Sequence, residues 1–435
     1  MVKRQSFFLE QTLRSLNDPS IDSKRNGLFA RIPRRVRWLI LSLSFSNLGV
    51  GYLIVLVTAY LPQIGFNSGF VGLIIGIFGL VPVAAGIPLG ILSDRRGRKW
   101  ILILGSIGVP AGLIFFGTFA GGVSFAIPYF LIGTMILGLA EAAELTTWNA
   151  IIADQTDASN RDSAFSLSFI VSSVSIGIGS AIPLVFPTLQ SFVSVDSPTI
   201  HLDFILIFFA ISLVTPILVI FWLKGYSDRV SPKVKSGSQK STETKDPGAL
   251  RFLLKFSAIN SLIGLGAGFV IPLIPTWLFL KFSVPDTYSG PMLAVSNITM
   301  ALSALASPRL SRRYGLVNSI VMTEGFSTIF MFSLAFIPNA GAAAGIYIVR
   351  ASLMNMASPL ADSFLMGNLS SDRRGLASAI NSIIWRLPNS ASTIVGGFIM
   401  QQGNYTLPFF LATTFYVTSI ILFYFNFRNF TRKSR

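Results

Sequence analysis

Twelve apolar segments, each long enough to cross about 30 Å of hydrocarbon as a helix, divide this chain of 435 residues. They lie near 38–60, 68–93, 100–120, 124–152, 161–186, 202–223, 251–280, 287–307, 316–336, 341–366, 375–401 and 406–427. In hydrocarbon every backbone N–H and C=O must be satisfied within its own segment. The expected class is therefore an all-α polytopic membrane protein with twelve transmembrane helices. Composition agrees: 12% of residues are charged, about half the share of a soluble globular chain. The chain has no cysteine, which excludes disulfide and thiol chemistry. Its one histidine, His201, is expected in the external loop 187–201 as a solvated residue, and no metal site is expected.

A formal charge of +16 raises the question of nucleic acid, and position answers it. Of the 34 Lys and Arg residues, all but Lys281, Arg350 and Arg386 fall in the tails or in every second loop. That bias sets both termini in the cytoplasm and reads as topology and attraction to anionic lipid, with no nucleic-acid partner. Residues 1–37 are a polar, basic tail; a signal peptide would begin with its apolar run much earlier. Residues 224–250, rich in Lys, Ser, Thr and Gly, read as a flexible cytoplasmic linker between helical segments 38–223 and 251–427, and 428–435 form a short C-terminal tail.

Between the second and third apolar runs stands Gly90-Ile-Leu-Ser-Asp94-Arg95-Arg-Gly97-Arg98-Lys99, with five charges in ten residues. It must be a polar turn at a membrane face. Gly90 lets a neighbouring backbone approach, Gly97 permits the reversal, and Arg98 and Lys99 anchor the next helix. The stretch resembles, position for position, the G-x-L-x-D-R-x-G-R-K signature of the major facilitator superfamily. A degenerate second copy, Pro308-Arg-Leu310-Ser-Arg312-Arg313-Tyr-Gly315, sits at the matching place in the other half, with Arg312 where the first copy has its acid. The resemblance implies two pseudo-symmetric six-helix bundles, working as a monomer by alternating access around a midplane site. It also implies that Asp94 caps the start of helix 11, near Leu376, whenever the inner side is shut.

Charges near mid-bilayer cost at least roughly 2.5–3.5 kcal/mol on insertion scales, so each needs a reason. Helix 4 carries Glu141 and Glu144, helix 10 Arg350 beside Tyr347, and helix 11 Arg386 beside Asn389. At 1.5 Å per residue Arg386 lies roughly 18 Å into helix 11. In the superfamily, helices 1, 4, 7 and 10 line the cavity. The resemblance therefore sets Glu141 and Arg350 across it from each other, with Asn47 of helix 1 and Asn260 of helix 7 completing a polar site. Glu141 or Glu144 would either form ion pairs that close the halves or exchange a proton during the cycle. Nearer the cytoplasm, Asp154, Arg161, Arg313, Glu324, Asp362 and Arg374 are expected to form a structural charge cluster, with Asp154 paired to Arg95 or Arg98.

The chain departs from the superfamily's exporters at two places. Thr134 stands where many carry an arginine on helix 4, and Gly177-Ile-Gly179-Ser-Ala-Ile-Pro183 lacks the helix 5 antiporter signature. There is no G-x-x-x-x-G-K-[ST] loop for ATP. Glu141 and Glu144 share one helix face, whereas catalytic carboxylates flank a substrate, so an embedded enzyme is disfavoured. The expected function is a secondary transporter without cofactor, exporting a small organic compound in exchange for protons; proton-coupled uptake of an organic anion or other metabolite is the alternative.

Overall fold

The computed structural model describes residues 32–157, 160–226, 247–304, 306–367 and 374–428. Most of the N-terminal tail, the linker and the C-terminal tail therefore lie outside the described residues, as do the side chains of Arg374 and Leu376. The described chain is helical throughout, in the order α1 (Arg34–Gln63), α2 (Ser68–Arg96), α3 (Arg98–Gly121), α4 (Val123–Asp154), α5 (Ser163–Val193), α6 (Ser197–Trp222) and α7 (Leu250–Phe282). There follow α8 (Asp286–Ala304), a short helix Ser307–Tyr314, α9 (Leu316–Leu334), α10 (Ala340–Gly367), α11 (Arg374–Gln401) and α12 (Leu407–Phe427). Among the described residues nine of these are long and apolar enough to cross a membrane, or ten if α8 and the short helix, bent by 46°, count as one span. The remaining two, α10 and α11, are 28 residues each and hold the mid-helix arginines Arg350 and Arg386.

Local sequence sets the ends of these helices. The Asn67 side chain accepts from Phe70 N–H at 2.8 Å and opens α2. Gly97 closes it at φ 100°, ψ 136°, and Gly315 repeats the turn at φ 81° in the second copy. Side chains rarely adopt that backbone region, so glycine is required at both. Gly97→Ala is expected to cost about 1–3 kcal/mol of stability, read as a lower midpoint of thermal unfolding in detergent. Within α1, Leu56–Tyr60 widens to a π-helical turn, a feature that often marks a functional position.

Helices α1–α6 pack as one bundle and α7–α12 as another; across the gap α2 meets α11 and α5 meets α8. The start of α1, the end of α12, the Gly97 and Gly315 turns and Arg161 share one face of the molecule, called here the tail face. Along α2 the glycine strip shows how the bundles lean. A Cβ on Gly72 would stand 2.8 Å from Thr393 O and 3.0 Å from Gly397 Cα, whereas one on Gly86 or Gly90 would meet nothing within 4 Å. The bundles thus touch at the far face and splay at the tail face. Gly90 was expected to sit under a close backbone; in this splayed arrangement it faces open space.

On α5, Ser168, Ser172 and Gly179 pack within their own bundle. Ser168 Oγ accepts from Trp148 Nε1 at 2.9 Å, and a side chain at Gly179 would run into Leu48 O of α1. Asn47 belongs to the same joint: its Nδ2 donates to Ser172 Oγ at 3.0 Å. It was expected in the central site, but α5 claims that face of α1.

Candidate functional site

A cavity of about 580 Å3 lies inside the second bundle, and every residue lining it comes from that bundle. Its polar wall includes Asn260, Glu324, Arg350, Asp362, Arg386 and Asn389. Beside it a second chamber, of about 290 Å3, is lined by Val50, Ile54, Ile74, Phe78, Leu137 and Thr134 of the first bundle. Pro272, where α7 breaks into a short 3-10 turn, borders both. The chamber of the second bundle is lined by charged and polar groups, and that of the first is almost wholly apolar. Thr134 explains part of this division, because an arginine at that place would have put a cation into the apolar chamber.

Arg350 is 3% exposed. Its Nη2 donates to the Tyr416 hydroxyl at 2.6 Å, and Ser327 Oγ donates to its backbone carbonyl. No carboxylate pairs with it among the described residues, so Arg350 brings positive charge to the wall of the cavity. Tyr416 escaped the sequence reading, since one tyrosine in the aromatic run of α12 carries no periodic or charge signal. Asn260 Nδ2 donates to Asn381 Oδ1 at 3.3 Å and Asn389 Nδ2 to Gly264 O at 3.0 Å, which hold α7 against α11. Tyr347, buried on α10, also faces the cavity.

The expected partnership of Glu141 with Arg350 is not what the structure shows. Arg386 Nη1 donates to Glu141 Oε1 at 2.9 Å, joining α11 to α4 across the two bundles. Glu144 does not follow it. Three residues advance 300° around a helix, leaving the two side chains about 60° apart. The Glu144 stem lies against Gly105 of α3, and its Oε1 is buried without a hydrogen-bond partner.

The expected cytoplasmic cluster also divides. Arg98 Nη1 meets Asp154 Oδ2 at 2.8 Å, and the Tyr226 hydroxyl donates to the same oxygen at 2.7 Å. Arg161 caps α4, donating to Ala153 O and Thr156 O, each at 3.2 Å. Glu324 and Asp362 leave the cluster and line the cavity; Glu324 is only 8% exposed. Arg313 instead lies over the ring of Tyr314. The short helix carries its arginines outward, away from the face on which α9 and α10 present these acids. Asp94, Arg95 and Lys99 stand at the open end: Asp94 and Arg95 are exposed and Lys99 half-buried. Asp94 makes none of the described hydrogen bonds, and its expected partner near Leu376 lies outside the described side chains. Arg374, the last member of the expected cluster, has a side chain that is likewise outside them.

His201 overturns its expectation outright. It sits on α6 with 1% of its surface exposed, in contact with α1 and α8, because α6 begins at Ser197, five residues before the apolar run that starts at 202.

The sequence profile described as Major Facilitator Superfamily matches residues 39–393, across both bundles and the turn at Gly97. The chain belongs to the Major Facilitator Superfamily. It is 22% identical over 388 residues to Multidrug resistance protein 1 of Bacillus subtilis (strain 168), covering 88% of this chain and 94% of that one. A stretch of 154 residues, 35% of this chain, is 34% identical to the inner membrane transport protein YajR of Escherichia coli (strain K12); it spans 32% of that relative's length. Among solved structures the fold matches an auto-inhibited POT family peptide transporter with TM-score 0.70 at 14% identity, covering 93% of this chain and 98% of that one. It matches the nucleoside transporter NupG with TM-score 0.63 at 17% identity, covering 91% and 98%. As a superfamily member the chain is a multi-pass membrane transporter of a small-molecule substrate, and a carrier rather than an enzyme. The turn at Gly97 and the paired bundles are the family's architecture.

Proposed function

We propose that this carrier is a proton-coupled exporter of a small organic compound, acting as a monomer in the cell membrane with twelve spans and both termini in the cytoplasm. The positive charges of the tails and alternate loops make the tail face cytoplasmic. The splay at Gly86 and Gly90 then opens the site toward the cytoplasm, the side from which an exporter loads. α10 and α11 serve as spans because Arg350 faces the cavity and Arg386 reaches Glu141 of the first bundle, so neither faces lipid.

The observation that carries the reading is the Arg386–Glu141 pair, a charged contact made between bundles at the edge of the cavity. Such a contact must break for the bundles to rock. A proton on Glu141 would break it, and Glu324, free of ion pairs among the described residues, offers a second carboxylate to the same cavity. The apolar chamber and the relative named for multidrug resistance support a lipophilic cargo. Arg350, without a carboxylate partner, favours the second reading, uptake of an organic anion.

Counterflow in proteoliposomes separates these readings. A labelled lipophilic compound should exchange, with net flux driven by an imposed pH gradient. Glu141→Gln should keep exchange but lose at least tenfold of gradient-driven flux. Gradient-driven flux unchanged in both Glu141→Gln and Glu324→Gln would rule out carboxylate coupling at this site. Gradient-driven accumulation of organic anions alone would establish the uptake reading instead.

A further inference from the structure

At the far face, opposite the tail face, a buried polar cluster joins the bundles and no part of the transport site uses it. His201 of α6 lies at its centre. The Tyr52 hydroxyl is 2.7 Å from His201 Nδ1, and the ring of Tyr60 stacks on the imidazole at 3.5 Å between centroids. From the second bundle comes Asp286, 3% exposed, at the first turn of α8. Its Oδ1 accepts from Gln63 Nε2 at 3.1 Å, and the backbone N–H groups of Asp286 and Thr287 support the carboxyl. Its Oδ2 faces His201 Nε2 at 3.5 Å, and both of those atoms are buried without a hydrogen-bond partner.

Each helix around the cluster contributes to the balance of charge. α1 brings Tyr52, Tyr60 and Gln63; the end of α5 and the end of α3 bring only the rings of Phe186 and Phe119. On α6, Asp196 acts on Tyr60 from the N-cap, and Asp203 is exposed. Lys281, at the end of α7, is engaged with Ala335 O and the Trp277 ring. Among the described residues no cation therefore pairs with Asp286. Unless one proton sits between Nε2 and Oδ2, the cluster buries a bare carboxylate charge, which costs several kcal/mol in a medium of low dielectric. One proton on either atom removes that cost and completes the hydrogen bond.

We propose that His201 and Asp286 are a proton-binding latch that holds the two bundles shut at the far face. Tyr52, Gln63 and His201 belong to the first bundle and Asp286 to the second, so opening that face pulls the pair apart and wets both groups. The proton then leaves to the aqueous medium on that side, and closing takes one up from it. A second contact at the same seam, Thr276 Oγ1 donating to Thr58 O at 2.6 Å in the widened turn of α1, opens with the latch but carries no titratable group. The proposal rests on the rocking of the bundles, and not on the identity of the cargo or on the proton site at Glu141.

Linkage makes the idea measurable. If closing binds one proton, the ratio of closed to open molecules rises up to tenfold for each unit of falling pH. The absence of native cysteine allows clean labelling. Spin labels on Phe192→Cys and Phe336→Cys, both exposed at the far face in different bundles, report the separation in full-length protein in nanodiscs. Between pH 8 and pH 6 the short-distance population should grow in the parent, and the growth should vanish in His201→Gln and in Asp286→Asn. Asp286→Asn keeps the Oδ1 acceptor for Gln63, so it serves if His201→Gln fails to fold. The slope should persist in Glu141→Gln, which isolates the latch from the coupling proposed above. A flat parent, or a slope retained in Asp286→Asn, or one lost in Glu141→Gln instead, would each overturn the latch.

Discussion

Arg386→Ala is expected to lower transport at least tenfold while leaving the helical content of the purified protein intact. The reason is the charge left behind. Glu141 and Arg386 are each about a quarter exposed, at 25% and 29%, so neither is fully desolvated, yet each is the other's described ionic partner. Removing one member leaves an uncompensated charge between the bundles; for fully buried pairs that penalty is about 3–5 kcal/mol, and partial exposure reduces it. A double-mutant cycle with Glu141→Gln measures the pair itself. The expected coupling is about 1–3 kcal/mol in thermal stability, with Glu141→Gln/Arg386→Gln recovering most of the loss of either single change. Additive single-mutant effects would show that the contact contributes nothing to joining the bundles.

Gly72→Val should act on the conformational equilibrium itself. A Cβ there would press on Thr393 O and Gly397 Cα, backbone atoms that cannot step aside as a side chain can. Overpacking at such a seam costs about 1–3 kcal/mol, enough to reverse a balance between two states of similar energy. The far face should open, with the Phe192–Phe336 separation lengthening and transport falling at least tenfold. Gly86→Val offers the mirror experiment. Nothing lies within 4 Å of a Cβ at Gly86 in this state, but closing the tail face brings α11 toward it. That variant should favour the arrangement seen here and shorten the mean separation. Identical shifts from the two variants would refute a hinge between these ends of α2.

Much of the architecture could be read from the residues in order. The apolar runs and the turn at Gly97 depend on local hydropathy and on one backbone conformation, and both are properties of short stretches. The pairing of Asp154 with Arg98 was also within reach, since adjoining loops at one membrane face leave few alternatives. His201 was misplaced because the start of α6 was judged from apolarity, and Asp196-Ser-Pro, an acid at the N-cap position followed by an early proline, is a helix start that hydropathy does not see. Glu324 and Asp362 were grouped with nearby arginines by depth alone. Depth locates a side chain along the membrane normal but leaves its direction around the helix undetermined.

The order of residues alone determined that this chain must be a helical membrane protein with a glycine-closed basic turn and a small number of costly internal charges. Hydrocarbon imposes those requirements on each segment separately. Which charges meet was decided only when the helices packed. Arg386 rather than Arg350 reaches Glu141, and His201 finds Asp286, because a rotation of some 60° about a helix axis exchanges one neighbour for another, and that rotation is set by contacts between segments distant in the chain.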